Sequence, residues 1–168
     1  MADEQRILRI TLDERSVVRR NADIEHERQV AIFDLLEENS FAPMGGHSGP
    51  FHLRLSLEDN RLVLDLRSIE DAPLERILLP LAPFRGIIKD YFIVCESYFA
   101  AIKRASPMQI EAIDMGRRGL HDEGATLLAD TLADKVAVDP DTARRLFTLI
   151  CVLHLKASSH GLGEHPRS

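Results

Sequence analysis

The chain has 168 residues, with 21 Lys and Arg against 27 Asp and Glu, a formal net charge of −6 and 45% apolar residues. This is the balance of an ordinary globular domain, which excludes a collagenous, disulfide-stapled or generally disordered chain, and the acidic total argues against a broad electropositive face for duplex DNA. No stretch approaches the run of about 18 apolar residues that a membrane helix requires, and Met1 to Arg9 has no apolar segment of the signal-peptide kind, so neither membrane insertion nor secretion is expected.

Leu8, Ile10 and Leu12 alternate with Arg9 and Thr11, the period of a strand with one buried face. Asn21 or Asp23 then offers a helix cap, and Ile24, Ala31, Ile32, Leu35 and Leu36 keep helical spacing to about Asn39. Pro43 to Pro50 holds three glycines and two prolines and reads as a flexible loop; its Ser48 lacks the strand and final glycine of a nucleophile elbow.

Phe51, Leu53, Leu55 and Leu57 alternate with polar residues, Glu58 to Arg61 turns the chain, and Leu62, Leu64 and Leu66 alternate again, which predicts a β-hairpin over 51–67. Leu74 to Leu81 adds a strand whose flanking prolines confine it to a sheet edge. From Phe84 to Arg104 the apolar residues, including Ile88, Tyr91, Phe92, Cys95 and Phe99, cover more than half the helical circumference, which predicts a central buried helix in which Phe92 is a core residue.

Ser106, Pro107 and Gln109 form a helix start with a capping box. Gly116 and Gly119 then bracket Arg117 and Arg118 and interrupt the helical pattern, Gly124 follows, and Asp139-Pro140 opens a last helix through Leu146, Phe147, Ile150 and Leu153. The polar stretch 157–168 reads as a disordered tail, leaving one globular domain over 1–156. Segregated strands and helices predict an α+β fold, a small antiparallel sheet packed against a helical C-terminal half.

Gly116-Arg117-Arg118-Gly119 carries the sharpest functional signal, because two glycines flanking basic residues in a loop let backbone and guanidinium groups approach phosphates. It is similar to the GXXG loop of KH domains, which implies single-stranded RNA or anion binding at these four residues. The surrounding segment, Ser106 to Lys135, has three basic and six acidic residues, so a helix bend with solvated arginines competes with that reading. Arg19-Arg20 and Arg144-Arg145 are further pairs that would enlarge a basic patch if the fold brought them together.

Asp114 and His121 are the residue types for proton transfer and would form a polar site if the Gly-rich segment bends. Cys151 and His154 lack the further ligands of a zinc site, so Cys95 and Cys151 are read as core thiols and His154 as a helix-end histidine. Glu25-His26-Glu27 lacks a second histidine at metalloprotease spacing and reads as a solvated first turn. No metal or cofactor is expected from these spacings.

The runs HERQVAIFDLLEENSFA, PFRGIIKDYFIVCESYFAAIKRA, PMQIEAIDMGRRGLHDEGATLL and DTARRLFTLICVLHLK together resemble the bacterial uncharacterised protein family UPF0262, over nearly Ile7 to Lys156. The resemblance implies a bacterial cytoplasmic protein and assigns no catalytic or binding residue. With a folded core and no complete catalytic constellation, the leading expectation is a small interaction or regulatory protein with another protein as partner. RNA binding through 116–119 ranks second. An enzyme acting on a phosphorylated small molecule around Asp114, Arg117, Arg118 and His121 ranks third.

Overall fold

A computed structural model describes the backbone of residues 4–13 and 22–164, and side chains over 4–13 and 24–154. The elements run β1 (Ile7–Leu12), α1 (Ala22–Glu37), β2 (Phe41–Pro43), β3 (Phe51–Glu58), β4 (Arg61–Ser68), β5 (Pro73–Pro80), α2 (Ala82–Ala101), α3 (Pro107–Leu132), β6 (Val136–Val138) and α4 (Pro140–Glu164). The α+β class holds. The caps expected at Asn21 and Asp23 and the pair Arg19-Arg20 lie outside the described side chains.

The main sheet has the order β1-β3-β4-β5. The β3–β4 hairpin closes through Asp59 and Asn60, both in the left-handed region with φ of 52° and 62°, as a two-residue turn between strands of right-handed twist requires. β5 lies at one edge, where its terminal prolines leave no inner ladder donor missing. The sheet is mixed rather than purely antiparallel: β1 pairs parallel to β3, which the intervening helix α1 permits. Asn39, just past α1, caps the outer edge of β1, its Oδ1 accepting from Ile7 N at 2.7 Å and its Nδ2 donating to Ile7 O at 2.9 Å.

Strand alternation puts Leu53, Leu55, Leu62, Leu64, Leu66, Ile77 and Leu79 on one face, all at most 2% exposed and packed with α1, α2, α3 and α4 in a continuous core. The outer face carries Arg9, Thr11, His52, Arg54, Asp65, Arg67 and Arg76. Among the described residues the four helices pack on one side of the sheet. β2 and β6 form a second, two-stranded ribbon that fastens the loop after α1 to the α3–α4 connection. These two three-residue strands are too short to show a period, and the sequence gives no sign of them.

Two expectations are corrected. The helix α2 buries one stripe, Phe84, Ile88, Tyr91 and Cys95, whereas Phe92 is half-buried and Ile93 is 52% exposed; hydrophobic content had overstated how much of its circumference faces the core. The loop 43–50 is tied down rather than flexible: Gln5 donates to His47 O at 3.0 Å and accepts from Gly49 N at 2.7 Å, and a Cβ on Gly49 would lie 2.0 Å from Glu4 O. The backbone of α4 runs to Glu164. The side chains beyond His154 and all of 165–168 lie outside the described residues.

The capping box forms as expected, with Ser106 Oγ accepting from Gln109 N at 3.2 Å and Gln109 Oε1 accepting from Ser106 N at 3.1 Å. It satisfies two of the three orphan amides at the start of α3, since Pro107 has none to satisfy. From there α3 runs unbroken for 26 residues. Gly116 and Gly119 are ordinary helical positions on its exposed face, where an added Cβ would meet nothing within 4 Å. The segment 116–119 stays helical because α3 is fixed at both ends, by the cap at Ser106 and by packing of Ala125, Leu128 and Leu132 in the core.

Candidate functional site

Gly124 sets how closely α3 meets α4. A Cβ there would lie 2.1 Å from Cζ of Phe147, so only a glycine lets that buried ring sit flat against the α3 backbone. The close seam brings one turn of α3 against one turn of α4. His121 Nε2 lies 2.6 Å from Thr148 Oγ1, and its ring packs between Tyr91 and Phe147 at centroid distances of 5.3 and 5.4 Å. Thr148 Oγ1 in turn donates to Arg144 O at 3.3 Å, the back-bond common for threonine in a helix, which leaves it to accept from an Nε2–H of His121.

Above this contact lies a cleft of about 400 Å³ lined by Glu27 of α1, Tyr91 of α2, Arg117, Arg118, His121 and Asp122 of α3, and Arg144 and Thr148 of α4. Arg117 is held by a forked pair of bonds to Asp114 Oδ1 at 2.7 and 3.1 Å, and its guanidinium lies 4.8 Å from the ring centre of Tyr98. Arg118 reaches the other Asp114 oxygen at 3.1 Å. One carboxylate thus serves two guanidiniums. Arg144 bonds Asp141 and lies 3.9 Å from Asp122.

Burial is the first cause that pulls the His121 pKa down, to about 4; Arg117 and Arg144 add to it and Asp122 opposes it. At neutral pH the imidazole is uncharged. Burial works against the charge of Arg117, and Asp114 more than restores it. Burial likewise pushes the Tyr91 phenol up, with Cys95 and Glu27 adding to the effect, so Tyr91 stays protonated. The cleft therefore offers three fixed cations, a neutral imidazole and a phenol as donors, with Glu27 and Asp122 as acceptors.

The structure unites Arg117, Arg118 and His121 and adds Arg144, but it separates the expected Asp114–His121 pair. Asp114 faces the arginines and positions them. Arg145 turns away, its guanidinium 3.5 Å from Glu38 O. Gly116 and Gly119 lie on the exposed helix surface, so the loop that a KH-like clamp needs is absent at 116–119. Sequence reasoning did not place Glu27, Tyr91, Arg144 and Thr148 together; only the arginine pair at 144–145 gave a signal, since the others read as core or as a solvated first turn.

The cysteines are buried and unpaired, with burial pushing the Cys95 thiol up to about 11 and Cys151 well above its usual value. His154 lies inside α4, its pKa lowered by burial, rather than charged at a helix end. Among the described residues no three His, Cys, Asp or Glu side chains cluster as metal ligands, and no helix is long and apolar enough to cross a membrane.

A model of the uncharacterised protein family UPF0262 matches residues 4–156. A UPF0262 protein of Paramagnetospirillum magneticum is 58% identical over 156 residues, covering 93% of this chain and 99% of that protein. One of Rhodospirillum rubrum is 60% identical over 156 residues, with 93% and 96% covered, and one of Azorhizobium caulinodans is 60% identical over 153 residues, with 90% and 94% covered. No solved structure matches the chain.

Proposed function

The chain belongs to the UPF0262 family, and on that premise we propose that it is a cytoplasmic regulatory protein that binds a small phosphorylated molecule in the cleft between α1, α2, α3 and α4. The observation that carries this reading is the convergence of Arg117, Arg118 and Arg144, from two helices, on one cleft beside a neutral His121. A phosphate group takes charge-assisted bonds from the guanidiniums, whose planar forks suit its oxygens. Glu27 and Asp122 at the cleft wall accept from hydroxyl or amino groups on the rest of the molecule.

Titration calorimetry of inorganic phosphate and phenyl phosphate into the full chain at low salt tests this. Arg144→Ala is expected to weaken binding about 10- to 100-fold, the range for a hydrogen bond to a charged group. Equal affinity in wild type and the Arg118→Ala/Arg144→Ala double variant, or no heat with either ligand at millimolar concentration, rejects the cleft as the site.

A protein partner is the second reading, favoured by exposed apolar side chains: Phe33 is 64% exposed, Met108 81% and Met115 61%. A partner that co-purifies with wild type and is lost from Met108→Asp/Met115→Asp supports it; retention in both rejects these residues.

A further inference from the structure

On the outer face of the sheet, away from the cleft, Thr11 of β1, His52 of β3 and Asp71 of the β4–β5 turn form a continuous relay. His52 Nε2 lies 2.8 Å from Thr11 Oγ1, and His52 Nδ1 lies 2.9 Å from Asp71 Oδ1. The parallel register, Arg9 beside His52 and Thr11 beside Arg54, brings the hydroxyl to the ring. The His52 side chain is 9% exposed although it stands on the outer face of the sheet, whereas Thr11 is open to solvent.

Asp71 is aimed by an unusual backbone. Its φ of 73° is left-handed, in a turn closed by Asp71 N to Ser68 O at 2.8 Å and Ala72 N to Ser68 Oγ at 3.1 Å. Arg67 holds the turn by donating to Asp71 O at 2.9 Å. The bond from His52 keeps the Asp71 carboxyl below the usual carboxylate range; slight desolvation opposes this, and Arg67 adds to it. Arg9 Nη2 also approaches Nδ1, at 3.2 Å, but only one group can bond there. The ionised carboxylate takes the Nδ1–H, which leaves the Nε2 lone pair facing the Thr11 hydroxyl.

Thr11 opens into a pocket of about 330 Å³ that also includes Arg54, Arg67, Arg76, Asp65 and Glu58. Arg67 pairs with Asp65 at 3.1 Å and Arg76 with Glu58 at 3.0 Å, while no described carboxylate lies within 4 Å of Arg54. We propose that Thr11, His52 and Asp71 form an ester-hydrolysing site, with Thr11 as nucleophile and Arg54 as the cation that receives an anionic group of the substrate.

Thr11 Oγ adds to the ester carbonyl carbon as its proton passes to His52 Nε2. The bond from that carbon to the alcohol oxygen then breaks, and the alcohol leaves with the proton from Nε2. Water attacks the acyl-threonine in the same way, giving a proton to Nε2 that returns to Thr11 Oγ as the carboxylic acid departs. Asp71 is a positioning residue that fixes the tautomer. Nothing is oxidised or reduced.

The test uses the full chain with two probes, 4-nitrophenyl acetate and the mono-4-nitrophenyl ester of succinate, following nitrophenolate release and mapping the acetyl adduct by mass spectrometry. Turnover of both is expected, with Thr11→Val lowering kcat at least about 100-fold, Thr11→Ser retaining turnover, and the adduct on Thr11. Arg54→Ala is expected to raise KM for the succinate ester and not for the acetate. Thr11→Val keeps the side-chain shape at an exposed position, so an unchanged melting temperature separates lost chemistry from lost fold. Turnover by Thr11→Val at the wild-type rate, an adduct at another residue, or no release of nitrophenolate above buffer from either ester overturns the proposal.

Discussion

Replacing Phe147 by alanine is expected to cost about 3–5 kcal/mol, the range for emptying a fully buried aromatic site. Phe147 is 0% exposed and lies where three elements meet: Tyr91 of α2 at 6.2 Å between ring centres, His121 of α3 at 5.4 Å, and the Gly124 backbone. Little can collapse into the space, because the Gly124 side of it is helix backbone. The reverse change, Gly124→Ala, adds a methyl where Phe147 already stands. It should destabilise by about 1–3 kcal/mol through overpacking, partly offset by the gain of about 1 kcal/mol in helix propensity. Combining it with Phe147→Leu should cost less than the sum of the two single changes, since each relieves the other. Denaturant midpoints for the three variants check this; strict additivity would show that the α3–α4 seam is not set by this contact.

Acid is expected to weaken the fold through His121. Its pKa falls from 6.5 to about 4 on folding, so between these values the unfolded state binds the proton and the folded state resists it. The contribution is fully present above pH 6.5 and is lost as pH falls toward 4, up to about 3 kcal/mol in total. His154, also lowered by burial, acts in the same direction. His121→Asn removes the titration, and subtracting its stability curve from that of wild type cancels the carboxylates common to both. The wild-type stability minus that of the variant should fall by up to about 3 kcal/mol from pH 7 to pH 4. Parallel curves across that window would mean that His121 is not held neutral between Tyr91 and Phe147. The same neutrality matters for the proposed ligand, because the cations of the cleft are then arginines whose charge does not change with physiological pH.

The strand patterns at Ile7–Leu12 and 51–67, the edge character of β5 and the capping box at Ser106 were legible in the sequence because each depends on neighbours a few residues apart: a period of two, a pair of flanking prolines, a side chain reaching three positions on. The hydrophobic content of α2 was equally legible. Which of its residues face the core was not, since Phe92 and Tyr91 are adjacent in the chain and only packing turns one inward. At Gly116 and Gly119 local rules suggested a break, and helix continuity won because the cost of two glycines is small beside the cap and the buried turn at Ala125 to Leu132.

The sequence by itself determined the α+β class, the strands over Ile7–Leu12 and 51–67, the start of α3 at Ser106, the buried thiols and the residue types Arg117, Arg118 and His121 that line the cleft. Tertiary structure alone decided that Arg144 and Glu27 join them, that Asp114 turns to the arginines instead of to His121, and that Thr11, His52 and Asp71 meet across separations of 41 and 19 residues. Such contacts follow from how helices and strands pack after the chain has closed long loops, and no pattern within a single element records them.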